Sequence, residues 1–280
     1  MLFIEILKTI ALGIVEGITE WLPVSSTGHM ILLDEFMKLN VSDRFKEMFF
    51  VVIQLGAILA VAVLYFNKLN PFSRRKTEAE RKNTLNLWGK VLVGAIPAAV
   101  VGLLFDDFLD EHFYNYIVVS IALIVYGIAF ILIEHFRKGK SYPTAEVDSL
   151  SYTDALKIGA FQILSLIPGT SRSGSTIIGG MSIGVSRKAS AEFSFFMAIP
   201  IMLGASGLKI FKFLLDGFSI SGDEIVILLV GIVVSFVVSL FAIKFLISFV
   251  SRHDMKPFGV YRIALGVLVL GYFITAGLIN

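Results

Sequence analysis

The chain of 280 residues contains no cysteine, which excludes both a disulfide-stapled secreted scaffold and a zinc site built on thiolates. Charge is scarce too. Only 16% of residues are Asp, Glu, Lys or Arg, against about a quarter in soluble domains. The formal net charge is +2, and basic residues form a run in a single loop, so the chain lacks the electrostatic footprint of a nucleic-acid binder. What it has in excess is apolar surface: 56% of residues are hydrophobic and the mean hydropathy is +0.83. Disorder and a collagen-like fibre are excluded by the same figures, and an integral membrane protein is implied.

Crossing a bilayer as a helix takes roughly 20 apolar residues. Six windows qualify, approximately Glu47 to Phe66, Trp88 to Phe105, Asn115 to Phe136, Ser190 to Phe211, Ile225 to Val250 and Gly259 to Ile279. The first apolar stretch is interrupted by Glu16 and Glu20 and runs into a motif-rich segment, so no cleavable signal is expected there.

Two further apolar segments are broken in the middle. One runs from Ile4 to about Met37 and breaks at Trp21-Leu-Pro-Val-Ser-Ser-Thr-Gly-His29; the other runs from Asp154 to about Val185 and breaks at Ile167-Pro-Gly-Thr-Ser-Arg-Ser-Gly174. Half-length helices with Pro, Gly and hydroxyls at the break predict re-entrant hairpins, and their non-helical backbone should line a cavity.

Lysine and arginine in the loops set the expected orientation. The segment Asn67 to Leu87 carries six of them and Asp106 to Tyr114 carries four acids and none, so the first is expected inside and the second outside. Arg137, Lys138, Lys140, Arg187, Lys188, Arg252 and Lys256 then fall inside, while Lys209 and Lys212 go against the rule. Both termini are expected outside, with the first hairpin entering from outside and the second from inside.

The fold class is therefore all-α, with six transmembrane helices plus two re-entrant hairpins. Each half holds one hairpin followed by three spans: repeat one covers 1–137 and repeat two covers 154–280, in opposite orientation. A shift of 146 pairs Gly13 with Gly159, Glu16 with Gln162, Ser25 with Ser171 and Gly28 with Gly174. Such an inverted-topology repeat brings two broken elements together near the midplane.

Glu16 and Glu20 share one helix face. Burying both is costly without compensation, and a hard divalent cation, Mg²⁺ or Ca²⁺, is the natural partner for carboxylate oxygens. His29 stands in the first broken segment, beside the two acids in sequence, and has the chemistry of a general acid or base, a nucleophile toward phosphorus, or the orienter of a serine. Of Ser25, Ser26 and Thr27, one is expected to serve as an N-cap. The second break, with Ser171, Arg172, Ser173, Gly174 and Thr176, is an anion site: glycines admit close approach, helix-start N–H groups and hydroxyls donate, and the guanidinium presents a planar fork. Ser175 stands where a P-loop would have its lysine and no strand precedes the motif, so an NTPase is rejected. Facing each other, the two breaks form a phosphate-handling site suited to an anionic head on a lipid tail.

These motifs, together with Ile53-Gln-Leu-Gly-Ala-Ile-Leu-Ala60 and Phe193-Ser-Phe-Phe-Met-Ala-Ile-Pro200, resemble the undecaprenyl-diphosphate phosphatases of the bacitracin-resistance family over nearly the whole chain. The resemblance implies hydrolysis of undecaprenyl diphosphate to the monophosphate carrier and inorganic phosphate, dependence on a divalent cation, and bacitracin resistance. It maps catalytic roles to Glu20, Ser26, His29 and Arg172, phosphate binding to Ser171, Arg172, Ser173 and Thr176, and metal binding to Glu16 and Glu20. Undecaprenyl diphosphate and the bilayer are the implied partners, with monomer and homodimer both open, in a bacterial plasma membrane with the site facing outward. The attacking group is left open between Ser26, His29 and water. So are the roles of Gln54 and Pro200. The rival reading is a lipid flippase or transporter, since inverted repeats with broken helices also build transporters.

Overall fold

A computed structural model describes residues 2–215, 217 and 220–279, and among these every named element is helical. The order begins α1 (Leu2–Thr19), α2 (Ser26–Phe36), α3 (Asp43–Val52), α4 (Gln54–Leu64), α5 (Phe66–Leu69), α6 (Glu78–Phe113) and α7 (Tyr116–Arg137). It continues with α8 (Tyr152–Ile163), α9 (Arg172–Ser182), α10 (Arg187–Leu215), α11 (Gly222–Val250) and α12 (Lys256–Ile279). Six helical stretches are long and apolar enough to cross a membrane, and each overlaps one of the six windows. The chain is a multi-pass membrane protein. Its lipid-facing surface follows from composition, with Leu104, Phe105, Phe241 and Val267 exposed while α10 buries Phe193, Phe195 and Phe196 completely.

Both broken segments are helix–break–helix. α2, α8 and α9 have 11, 12 and 11 residues, about 17 Å each and too short to cross. α1 is longer than a half-helix, at 18 residues. Its extra first turns are held by a local ion pair of Lys8 with Glu5, whose other oxygen accepts from the Asn40 amide. The acidic segment expected as a loop from Asp106 is also helical, as the continuation of α6 to Phe113. The start of α6 explains how the basic loop ends: Thr77 and Glu80 form a reciprocal capping box. The first span is split at Ile53 into α3 and α4, which places Gln54 at the joint.

Equivalent residues of the two halves make equivalent contacts. α1 packs chiefly on α11, and α8 on α6. Gly13 lies against the Gly231 carbonyl of α11; Gly159 lies against the Gly94 carbonyl of α6, where a Cβ would come within 2.2 Å. A Gly159→Ala substitution should therefore part α8 from α6 and lower stability by about 1–3 kcal/mol, read as an earlier thermal unfolding transition in detergent. A melting point equal to that of the parent would show that the backbones do not approach so closely. At one end of the bundle, the Glu134 carboxylate of α7 accepts from Arg187 of α10 and from the Met255 amide beside α12, tying three helix ends together.

Candidate active site

The two breaks share an unusual backbone. Ser25 and Ser171, paired by the shift of 146, have φ of 71° and 73° and are the positive-φ non-glycine residues among those described. Each is the N-cap of the helix that follows: Ser25 Oγ accepts from the Gly28 amide at 3.4 Å, and Ser171 Oγ from the Gly174 amide at 3.1 Å. The hydroxyl stays behind as a cap while the chain turns sharply, so the next residue, Ser26 or Arg172, opens each second half-helix.

Ser26 and Arg172 converge on one carboxylate. Glu20 Oε2 accepts from Ser26 Oγ at 3.2 Å, and Oε1 accepts from Arg172 Nη2 at 3.1 Å and Nε at 3.3 Å. Arg172 Nη1 donates to the Ser194 carbonyl at 2.7 Å and to its hydroxyl at 3.2 Å, and the guanidinium lies 5.6 Å from the Trp21 ring centre. Trp21 in turn packs edge-on against Phe195. The fork is thus fixed on three sides before any ligand arrives, the preorganisation that an oxyanion site needs.

These groups form the floor of a cavity of about 1120 Å³, lined there by Glu20, Ser26, Gln54, Gln162, Ser171 and Arg172. Its walls are apolar: Leu92, Ile96, Leu103 and Phe108 from α6, and Pro200, Ile201 and Leu208 from α10. Both walls run toward the C-terminal ends of their helices. Gln54 and Pro200, whose roles the sequence left open, both line this space.

The family model described as bacitracin resistance protein BacA matches residues 9–268. The chain belongs to the BacA family. Among its relatives, a protein of Enterococcus faecalis strain V583 named undecaprenyl-diphosphatase is 58% identical over 274 residues, covering 98% of this chain and 99% of the relative. Proteins of the same name from Desulfitobacterium hafniense and Streptococcus mutans are 56% and 55% identical, covering 98% and 97% of this chain and the same shares of their own lengths.

In this BacA-family chain the motif residues divide into those that reach the cavity and those that support it. Glu20, Ser26, Ser171 and Arg172 line it. Ser173 and Thr176 are fully buried behind it. Ser173 Oγ lies within bonding distance of the Glu20 and Leu22 carbonyls, joining hairpin two to hairpin one, and Thr176 Oγ1 is 2.7 Å from Ser194 Oγ, bracing the group that holds Arg172. His29 is not among the lining residues. Its Nδ1 lies 2.7 Å from the Ser25 carbonyl, which can only accept, and its Nε2 lies 2.6 Å from the Tyr261 hydroxyl. The carbonyl places a proton on Nδ1, and Nε2 is occupied by a hydroxyl that can donate or accept, so both nitrogens are engaged away from the cavity.

Glu16 is buried against Glu20, and its Oε1 has no hydrogen-bond partner. Touching carboxylates with a free oxygen fit a hard divalent cation. Among the described residues no third Asp, Glu, His or Cys joins them, and of the two carboxylates Glu20 alone is a lining residue, so the remaining ligands, reached from the Glu20 side, would be phosphate oxygens and water, the usual pattern for Mg²⁺. Sequence reasoning singled out neither Ser194, although it stands in the Phe193–Pro200 motif, nor Arg262, which is fully buried against both breaks.

Proposed function

We propose that this chain is an undecaprenyl-diphosphate phosphatase, which releases inorganic phosphate and returns the monophosphate carrier to wall-polymer synthesis, and so confers bacitracin resistance. One observation carries the reading: a single cavity joins apolar walls, suited to an isoprenyl chain, to a floor holding Ser26, Glu20, Ser171 and Arg172. Membership of the BacA family and relatives named undecaprenyl-diphosphatase support it. The cavity extends toward the C-terminal ends of α6 and α10, which the distribution of basic loop residues assigns to the outside of the plasma membrane. The same reading keeps two inverted repeats, 1–137 and 154–280, each led by a re-entrant hairpin; the matched Ser25 and Ser171 caps support that organisation.

In the mechanism, Arg172 and the Ser171 hydroxyl bind the terminal phosphoryl oxygens and hold phosphorus in line with Ser26 Oγ. Glu20 Oε2, already 3.2 Å from that hydroxyl, takes its proton as the Oγ–P bond forms. The bond from phosphorus to the bridging oxygen breaks, and the isoprenyl monophosphate leaves with that electron pair. Water then attacks phosphorus, the P–Oγ bond breaks, Ser26 Oγ takes back the proton held by Glu20, and inorganic phosphate leaves with the protons of the water. Glu16 and Glu20 would hold Mg²⁺ or Ca²⁺, which would offset the negative charge of the diphosphate. His29 acts on the other side of the backbone, fixing the strained Ser25 carbonyl.

Purified protein in detergent, given an isoprenyl diphosphate, should release phosphate. The rate should fall to background with a chelator and recover with added Mg²⁺ or Ca²⁺. Undiminished release in chelator would remove the metal from the mechanism. Saturable binding with no release would favour the transporter reading.

A further inference from the structure

Arg262 of α12 is fully buried, and its guanidinium spans the two breaks. Nη1 donates to the Pro23 carbonyl at 3.2 Å; Nη2 donates to the Gly169 carbonyl at 2.8 Å and the Thr170 carbonyl at 2.9 Å. Pro23 and Gly169 are equivalent under the shift of 146, so one planar group grips the same backbone position in both halves of the molecule. These carbonyls lie where helical bonding stops, and inside a membrane protein such acceptors need a donor. Arg262 makes no ion pair among the described residues; its Nε has no hydrogen-bond partner, and the centre of the Tyr126 ring lies 5.6 Å from the guanidinium carbon. Gly174 leaves it room, since a Cβ there would lie 3.3 Å from Nη1.

The gripped carbonyls lead directly into the reacting residues. Thr170 precedes Ser171 and Arg172, and Pro23 lies three residues before Ser26. Gly169, at φ +90°, is pressed against the Val119 carbonyl and has little freedom to follow if released. We propose that Arg262 is a positioning residue: by bridging equivalent carbonyls of the two breaks, it sets the separation between the Ser26–Glu20 half and the Ser171–Arg172 half of the site. Lysine keeps the charge but not the fork, because an ammonium is a point donor that cannot span both segments.

The inference rests on the phosphatase reading, and the test separates the two. Full-length wild type, R262K and R262Q are purified in detergent, and kcat and KM for an isoprenyl diphosphate are measured per folded molecule. Folding is scored by thermal unfolding. Because the chain has no cysteine, spin labels placed at E35C and S182C, on the far ends of α2 and α9, report the separation of the hairpins. In R262Q, kcat is expected to fall about 100-fold, as for an ångström-scale misplacement of reacting groups, with KM within about threefold and a broadened or displaced label distance. R262K, which keeps the charge and serves if R262Q does not fold, should show the same pattern. Lower stability with unchanged kcat per folded molecule would reduce Arg262 to a structural tie, and a rise in KM alone would make it a substrate contact; either overturns the proposal. Absence of hydrolysis by the wild type would instead overturn the phosphatase reading.

Discussion

Arg172→Ala is expected to leave a protein that hydrolyses isoprenyl diphosphate at least about 1000-fold more slowly than the parent. The guanidinium is held by Glu20, by both oxygens of Ser194 and over Trp21, so its direction is set before substrate enters; the other cation among the described lining residues, Lys212, stands near the C-terminal end of α10 and not in the breaks. Removing it also orphans a buried carboxylate, a change that costs about 3–5 kcal/mol in buried pairs. Lost activity could then reflect lost protein. Turnover counted per folded molecule separates the two effects, and the double variant Arg172→Ala/Glu20→Gln, which removes the stranded charge, should return stability toward that of the parent and so identify the orphaned carboxylate as the cause of any unfolding. Arg172→Lys should recover little, since a point charge does not reproduce a bidentate fork. Turnover of Arg172→Ala within a few-fold of wild type would remove the guanidinium from the oxyanion role.

The spans were legible because hydropathy is a local property. All six windows correspond to helices, and the Pro-Gly-hydroxyl breaks fell where the half-helices end, since those residues act on their own backbone. Boundaries set by side-chain capping or by charge were not legible. The acids after Phe105 stop the apolar run but not the helix, and Thr77 with Glu80 starts α6 well before the apolar stretch begins. Arg262 lay in a window whose average absorbed one cation. The signal was present, because a charged residue inside a span is functional by default, but its partners lie 93 and 239 residues away. His29 shows the opposite pattern. Its place beside two acids in sequence suggested chemistry, whereas folding turns its ring toward Tyr261, 232 residues distant, and toward the backbone of its own turn. Which residues reach a cavity is decided by helix rotation and by long-range contacts, and one sequence read locally contains neither.

Ser26→Ala should be nearly as damaging as loss of Arg172, with hydrolysis reduced at least about 1000-fold, while His29→Ala loses about tenfold. Ser26 lines the cavity with its hydroxyl on Glu20, the arrangement of a nucleophile and its base. His29 is off the cavity, and its substitution releases the Ser25 carbonyl and loosens a strained turn instead of removing a reacting atom. The chemical signature is sharper than the rates. Rapid quenching with an isoprenyl diphosphate labelled in the terminal phosphate should yield phosphoprotein that survives acid, as a phosphate ester on serine does and a phosphoramidate on histidine does not. The label should map to Ser26, persist in His29→Ala and vanish in Ser26→Ala. Acid-labile label, or label retained in Ser26→Ala, would move the attack to another group. Turnover by His29→Ala with no label in either protein would leave water, activated by Glu20, as the attacking species.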